Sequence, residues 1–313
     1  MAKIYENAFF GDSIRPIGEA NISIASSAVM YGLSVYTVFT VNVAENGDLI
    51  AFRLHDHYKR IVKSAQIIGI DSFEPVWPEE RFIDAVKRLL NANTIEEQVF
   101  VRATVHVTEL LAGTRSRGLN TILSMFIYEA KCILPQNGAR LKTSVWRRIP
   151  DYAIPSRAKV NGAYVNSVLA KQDAIDSGYD DCIFLDVDGH VCEMSAANIF
   201  IVRDGKLITP GVASDILEGI SRKTVLELAS EMGIPSMERH IDLTELYIAD
   251  EVFAAGTSAF ISPIVEIDAR AIGKGIIGPI TAQFKERWKE ILSGRDPKFV
   301  PRITVVGNAG ERN

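Results

Sequence analysis

The sequence predicts a two-domain protein of the α/β class, of the α+β type rather than a strict alternation. Three observations carry that expectation. The chain has 313 residues, which favours two domains of ordinary size over one. Its first half reads as hairpin, helices, hairpin, with strands and helices grouped in runs. The polar, Pro- and Gly-rich stretch opening "LPQNGAR" marks a boundary near residue 134, dividing a smaller N-terminal domain, 1–133, from a larger C-terminal one, 134–313.

The elements follow in order. "ANISIASSAVMYG" reads as strand-like and leads into "SVYTVFTVNVAENGDLIAF", where "ENGD" between apolar runs signals a hairpin turn. "LHDHYKRIVKSAQIIG" carries Tyr58, Ile61, Val62, Ala65 and Ile68 at helical spacing, with Gly69 as a stop. "PEERFIDAVKRLLNAN" repeats the pattern behind Pro78, and strands "QVFVRATVHV" and "NTILSMFIYEA" follow. The second half offers the helix "AYVNSVLAKQDAIDSG" and strands "DCIFLDV", "HVCEM", "NIFIV" and "KLITP". Helices "GISRKTVLELASEMG" and "PITAQFKERWKEILSG" flank "RHIDLTELYIADEVFAAGTSAFISPIVEID".

Composition narrows the function classes. The hydrophobic fraction of 47% supports sizeable cores, and the net charge of −5 is spread along the chain. No basic block points to nucleic acid, and no apolar run approaches the ~18 residues of a membrane span. Cys132, Cys182 and Cys192 show no CxxC spacing, and the opening segment lacks the apolar core of a signal peptide. Buried free thiols in a reduced, cytosolic protein are therefore expected.

Three motifs invite chemistry that their context does not support. "GKGIIG", Gly273 to Gly278, matches a dinucleotide fingerprint but follows no parallel strand of a βαβ unit and precedes Pro279, so a turn is expected. "HDH", His55 to His57, puts two imidazoles on different helix faces with no third histidine near, so no metal is expected and the three read as helix-surface polar residues. "GTRSRG", with Arg115 and Arg117, reads as a solvated hairpin tip, a substrate lid being the alternative.

The stretch "CEMSAANIFIV" is different. Glu193 and Asn198 interrupt an apolar strand, and a carboxylate there is costly unless a cation or hydrogen-bond donors meet it. Small residues Ser195, Ala196 and Ala197 follow and would let a flat ligand approach the backbone. Downstream, Gly219, Ile220 and Ser221 open a helix whose first-turn N–H groups suit a phosphate. Upstream, "SRAKVNGAY" sets Lys159 between turn residues and a helix. A lysine, a buried carboxylate and a phosphate-type helix start are what pyridoxal 5′-phosphate asks for: an amine for its aldehyde, an anion for its ring nitrogen and N–H groups for its phosphate.

With Glu193 as origin, "EMSAANIF", six residues, "LIT", seven residues and "LEGISR" resemble the signature of class IV aminotransferases, the fold-type IV pyridoxal-phosphate enzymes. The resemblance extends through "FRLHDHYKRIVKSAQ", "KVNGAYVNSVLAKQDAIDSGYDD" and "ELYIADEVFAAGTSAFISPI", and is strongest to branched-chain amino-acid aminotransferases. It implies a larger domain with a β-barrel-like core and a cofactor between the domains. It implies that Lys159 is the Schiff-base lysine and proton shuttle, that Glu193 pairs with the pyridinium nitrogen, and that Tyr164 bonds the phenolic oxygen. Arg60, Ile220, Ser221 and Thr257 would hold the phosphate beside Gly219, Leu217 and Ala196 would cover the ring faces, and Gly256 to Ser258 would meet the substrate carboxylate. Tyr31, Tyr36, Phe100 and Arg102, with Thr257 and Ser258, would form the substrate site, with Phe126 or Tyr128 as further walls. Arg102 would take the distal carboxylate of glutamate or 2-oxoglutarate. A homodimer or larger homo-oligomer is implied, with Tyr31 reaching the partner's site.

Two strands depart from the family pattern: in one, Phe100 stands where bacterial branched-chain enzymes have the tyrosine of Tyr-x-Arg and lacks the hydroxyl that would help hold the α-carboxylate. In the other, branched-chain enzymes read Glu-Gly-Ile-Arg where this chain has Thr37, Val38, Phe39 and Thr40, and Val38 narrows the space a glycine leaves. The expected activity is amino transfer between branched-chain L-amino acids and 2-oxoglutarate by a ping-pong route. The alternatives are the same cofactor with D-amino acids or (R)-primary amines, an aminodeoxychorismate-type lyase, and a non-catalytic protein on the same scaffold.

Overall fold

The computed structural model describes residues 2–309. The chain separates into two compact units. The first takes in the described residues up to Lys131, the short segment Ala158–Gly162, and the chain from Glu290 onward; the second comprises Cys132–Arg157 and Ala163–Lys289.

Seven strands among the described residues of the first unit form one sheet, with Ser34–Val43, Val99–Val107 and Thr121–Glu129 running antiparallel at its centre. Alternation assigns the two faces. Val35, Phe39, Val41, Val99, Val101, Ala103, Val105, Met125 and Ile127 belong to a buried side. The amphipathic helix Leu54–Ile67 packs on the strand Ser34–Val43. Helix Glu79–Asn91, begun behind Pro78, packs on the strands Ile303–Asn308, Asn7–Phe10 and Thr121–Glu129. Tyr36, Val38, Phe100, Arg102 and Phe126 belong to the other face.

The second unit contains a closed barrel. In its sheet the order runs Asn198–Arg203, Glu251–Gly256, Phe260–Ile267, Ala139–Thr143, Asp181–Leu185 and Val191–Met194, and the last strand returns to the first. Closure rests on a single register pair, Glu193 opposite Asn198. Leu141, Ile183, Leu185, Val191, Met194, Ile199, Ile201 and Ile264 fill the interior. Phe184, Cys182 and Cys192 face outward against Ala170 and Ala174 of helix Tyr164–Asp176. Ile183 pairs with Met194 and Leu185 with Val191, so Phe184 alone opposes both Cys192 and Glu193. That extra residue is a β-bulge, which turns Glu193 onto the outer face with its neighbour Cys192 instead of into the apolar interior.

Several expectations are corrected. "ANISIASSAVMYG" is not a strand: Ser27–Tyr31 is a helix, started by Ser26, whose hydroxyl accepts the Val29 N–H at 3.4 Å, and stopped by Gly32 at φ 66°. Local capping outweighs the β-branched composition. The hairpin Asn7–Phe10 with Ser13–Pro16 and the edge strand Ile303–Asn308 escaped the sequence reading. "GKGIIG" is a turn, as expected, ahead of helix Pro279–Leu292, where the Glu251 carboxylate accepts the N–H groups of Ile280 and Thr281 at 2.9 and 2.7 Å. A carboxylate occupies the position a phosphate would need. The three cysteines are free, and burial pushes the thiols of Cys182 and Cys192 far up. Among the described residues no helix is long and apolar enough to cross a membrane.

His106 gives the first unit a pH dependence. Burial, helped by the nearby Arg102 charge, lowers its pKa from 6.5 to about 4, and its Nε2 contacts Ser124 Oγ at 2.8 Å. The folded value lies below the unfolded one, so the folded chain binds fewer protons between the two. The stability His106 contributes is present above pH 6.5 and is lost as pH falls toward 4. Urea unfolding from pH 7 to pH 4 should fall less steeply for His106→Gln than for the parent, and equal slopes would contradict this.

Candidate active site

Lys159 owes its place to backbone bonds. The segment Ala158–Gly162 lies along the start of strand Ser34–Val43: Tyr36 N–H donates to the Lys159 carbonyl at 3.0 Å and Asn161 N–H to the Ser34 carbonyl at 3.0 Å. The Lys159 N–H donates to Ser64 Oγ at 3.0 Å, and Ser64 in turn donates to the Arg60 carbonyl one helical turn earlier at 2.8 Å. Both peptide groups of Lys159 are thereby held, and its Nζ lies 4.9 Å from the centre of the Tyr36 ring. The Arg102 guanidinium lies 3.6 Å from the same ring and bonds Asn161 Oδ1. Asn161 also donates to Ser34 Oγ at 2.7 Å.

The face carrying Arg102 gathers most of the residues expected to meet substrate. Val38, Arg102 and Phe126 stand directly opposite one another across three strands, as do Thr40, Phe100 and Tyr128. Phe100 and Phe126 both contact Tyr128, at ring separations of 5.4 and 5.7 Å. Tyr31 stands apart from this group, exposed at the end of helix Ser27–Tyr31.

On the opposite face Thr37 links two helix residues. Arg60 Nη2 donates to Thr37 Oγ1 at 3.0 Å, which leaves the hydroxyl proton for His57 Nδ1 at 2.8 Å. Burial, then the charges of Arg60, Arg53 and Lys159, hold His57 well below its usual pKa, so it accepts as a neutral ring. This corrects the reading of "HDH" as surface: His55 is outward, paired with Glu79, but His57 is buried because the helix turns that face to the sheet. The charges of Arg60 and Lys159 both bear on His57, so this part of the unit is an environment that favours anions.

The second unit supplies the carboxylate. Glu193 Oε1 pairs with Arg148 Nη2 at 2.8 Å, and Oε2 accepts from Asn198 Nδ2 at 3.0 Å and from the Leu217 N–H at 3.2 Å. Asn198 also donates to the Leu217 carbonyl at 3.0 Å. Three donors from three different segments fix the orientation of the carboxylate and offset the cost of burying it. Arg148 and Asn198 are roles the sequence reading missed: Arg148 sits in an irregular stretch, and its approach to Glu193 depends on the bulge. Gly219 caps the helix Ile220–Glu231. A Cβ there would meet Asn198 Oδ1 at 2.1 Å, so the same asparagine requires glycine at the helix start. Gly256 lies against Ala196 and Ala197, where a Cβ on the glycine would be 3.2 Å from Ala197 Cβ. Ser258 uses its carbonyl to accept from Ile133 N–H at 3.0 Å. Tyr164 begins helix Tyr164–Asp176 and is half-buried.

A clamped lysine over an aromatic ring, an anion-favouring cluster, a fixed carboxylate and a glycine-led helix start fit pyridoxal phosphate. The comparisons give the family. Residues 34–267 match the family described as "Amino-transferase class IV". A probable branched-chain-amino-acid aminotransferase of Aquifex aeolicus is 38% identical over 303 residues, covering 96% of each chain. The branched-chain aminotransferase of the archaeon Thermoproteus uzoniensis, crystallised with norvaline, superposes with a TM-score of 0.90 at 34% identity, covering 96% of this chain and 99% of that one. The T.th. branched-chain amino acid aminotransferase, complexed with N-(5′-phosphopyridoxyl)-L-glutamate, gives a TM-score of 0.87 at 33% identity, covering 97% and 99%.

Removing one partner of a buried ion pair strands the other charge. Arg148→Met should lower unfolding stability by about 3 kcal/mol, and adding Glu193→Gln should restore part of that loss. Additive losses in urea titrations of the single and double variants would contradict the pairing.

Proposed function

The chain belongs to the class IV aminotransferases, and from that premise we propose that it moves an amino group from branched-chain L-amino acids to 2-oxoglutarate in a ping-pong sequence. The observation that carries this reading is the sheet face bearing Tyr36, Val38, Phe100, Arg102, Phe126 and Tyr128. Aromatic and aliphatic walls suit a branched apolar side chain, and one guanidinium among them suits the distal carboxylate of glutamate. A pocket of that kind takes both substrates in turn. The relatives crystallised with norvaline and with a phosphopyridoxyl-glutamate adduct support both halves of the proposal.

Bound pyridoxal phosphate supplies a ring that draws electrons from the substrate Cα. The residues of this chain do the rest. Lys159, held at both peptide groups, carries the cofactor at rest and moves the Cα proton in turnover. Glu193, fixed by Arg148, Asn198 and the Leu217 amide, presents the negative charge that keeps the ring nitrogen protonated. Arg60, the Ile220 and Ser221 amides behind Gly219, and Thr257 would hold the phosphate. Tyr164 would bond the phenolic oxygen, Leu217 and Ala196 would cover the ring, and the Gly256–Ser258 turn would receive the substrate α-carboxylate.

The proposal includes a homodimer. Ile24, Val29, Met30, Tyr31, Leu110 and Leu111 are exposed apolar residues on two segments joined by Ser27 N–H to the Glu109 carbonyl and Leu111 N–H to the Ala25 carbonyl. A second copy of the chain would cover this patch, with Tyr31 entering the partner's site. The free thiols favour a reducing compartment, the cytoplasm. Val38, on the substrate face, supports a second reading in which D-amino acids or (R)-primary amines are the donors.

A single-turnover panel tests these readings through cofactor absorbance. L-leucine and L-valine should convert the resting form, and 2-oxoglutarate should restore it. Conversion by (R)-1-phenylethylamine alone would overturn the first reading in favour of the second. Lys159→Ala should abolish turnover, and Glu193→Gln should lower kcat on the order of 10²-fold through a less protonated ring.

A further inference from the structure

The second unit holds a side-chain cluster that none of the steps above uses. Asp186, His190 and His240 each offer a ligand atom, and these atoms lie within 4.8 Å of one another. We propose that the three residues form a binding site for a divalent transition-metal ion of the zinc type, with water completing the coordination.

Two segments build the cluster. Asp186 follows the strand Asp181–Leu185 and opens the tight turn that leads to His190. Its Oδ1 accepts the N–H groups of Asp188 and His190 at 3.0 and 2.8 Å, and its own N–H donates to the His190 carbonyl at 2.8 Å. The turn therefore fixes the carboxylate and leaves Oδ2 aimed at the imidazole. The chain around Ile241 runs alongside: Val191 N–H donates to the Ile241 carbonyl at 2.8 Å, and His190 and Asp242 form a β-bridge. That pairing brings the His240 ring to 4.7 Å from the His190 ring, tilted by 41°. His190 and His240 are fifty positions apart in sequence, which is why their meeting is not legible from spacing.

Coordination geometry supports the assignment. Zinc–nitrogen bonds of 2.0–2.1 Å set the edge of a ligand tetrahedron at about 3.4 Å. Asp186 Oδ2 and His190 Nδ1 are already 3.2 Å apart. The wider spacing to His240 would close by rotation of its exposed ring, whose Nδ1 otherwise lies 3.5 Å from Ser214 Oγ. The far nitrogen of His190, Nε2, lies 4.0 Å from Asp242 Oδ1, beyond hydrogen-bond distance. Two imidazoles with one carboxylate select zinc, copper, nickel or cobalt over magnesium and calcium, which prefer all-oxygen shells. A bound ion would tie the Asp186–His190 turn to the segment 240–242, one residue before the strand Val191–Met194 that carries Glu193.

The test is titration of the cofactor-loaded protein with Zn²⁺ against a chromophoric chelator, alongside thermal unfolding with and without the ion. The parent should take up one Zn²⁺ per chain and unfold at a higher temperature in its presence. His240→Gln and His190→Gln should each weaken Zn²⁺ affinity about 10- to 100-fold and lose the thermal shift, with the cofactor absorbance unchanged. His55→Gln, in the other unit, should bind Zn²⁺ as the parent does. Equal affinity and stoichiometry in the parent, His190→Gln and His240→Gln, or no uptake by the parent at about tenfold molar excess, would overturn the site and leave an Asp–His hydrogen bond beside a second ring.

Discussion

A carboxylate in the wall of an apolar barrel is tolerated only where backbone geometry takes it out of the interior and donors surround it. Both conditions meet at Glu193. The bulge opposite Phe184 moves its side chain to the outer face, and the register pair with Asn198 closes the barrel at that same residue. Asn198 then bonds Glu193 and the Leu217 carbonyl together, and its Oδ1 occupies the space a side chain at position 219 would need. One asparagine thus connects barrel closure, the orientation of the acid and the start of the helix Ile220–Glu231. A substitution at Asn198 would disturb all three, so its effects on stability and on the site are not separable.

In the first unit the corresponding constraint is main-chain pairing. The strand Ser34–Val43 keeps one edge for Val99–Val107, and its opening residues use the other edge for 159–161. Lys159 is therefore positioned by its peptide groups, a placement that does not depend on contacts of its amine. Thr37 shows how the chain accommodates its departure from the family pattern. A hydroxyl stands between Arg60 and a neutral His57, where a carboxylate would have carried charge. The local electrostatics are consequently more positive, which suits anionic ligands.

Much of this was legible in the sequence because it is local. The helices beginning at Leu54, Glu79, Tyr164, Ile220 and Pro279 announce themselves by periodicity and by proline or glycine at their ends. The apolar runs of the barrel strands and the lysine, glutamate and glycine spacing were equally plain. What escaped depends on contacts between distant segments. Arg148 meets Glu193 only through a bulge that no residue pattern marks, and His57 is buried only because its helix turns that side to the sheet. The segment Ser27–Tyr31 reads as strand in the sequence because its capping serine competes with β-branched neighbours, a contest that composition does not decide.

The central claim is chemical: the amine of Lys159 is the group that carries pyridoxal phosphate. Borohydride reduction of the cofactor-loaded protein, followed by peptide mass spectrometry, tests it most directly. The account predicts a phosphopyridoxyl adduct on the peptide containing Lys159. An adduct confined to another lysine, or none on protein saturated with cofactor, would contradict it.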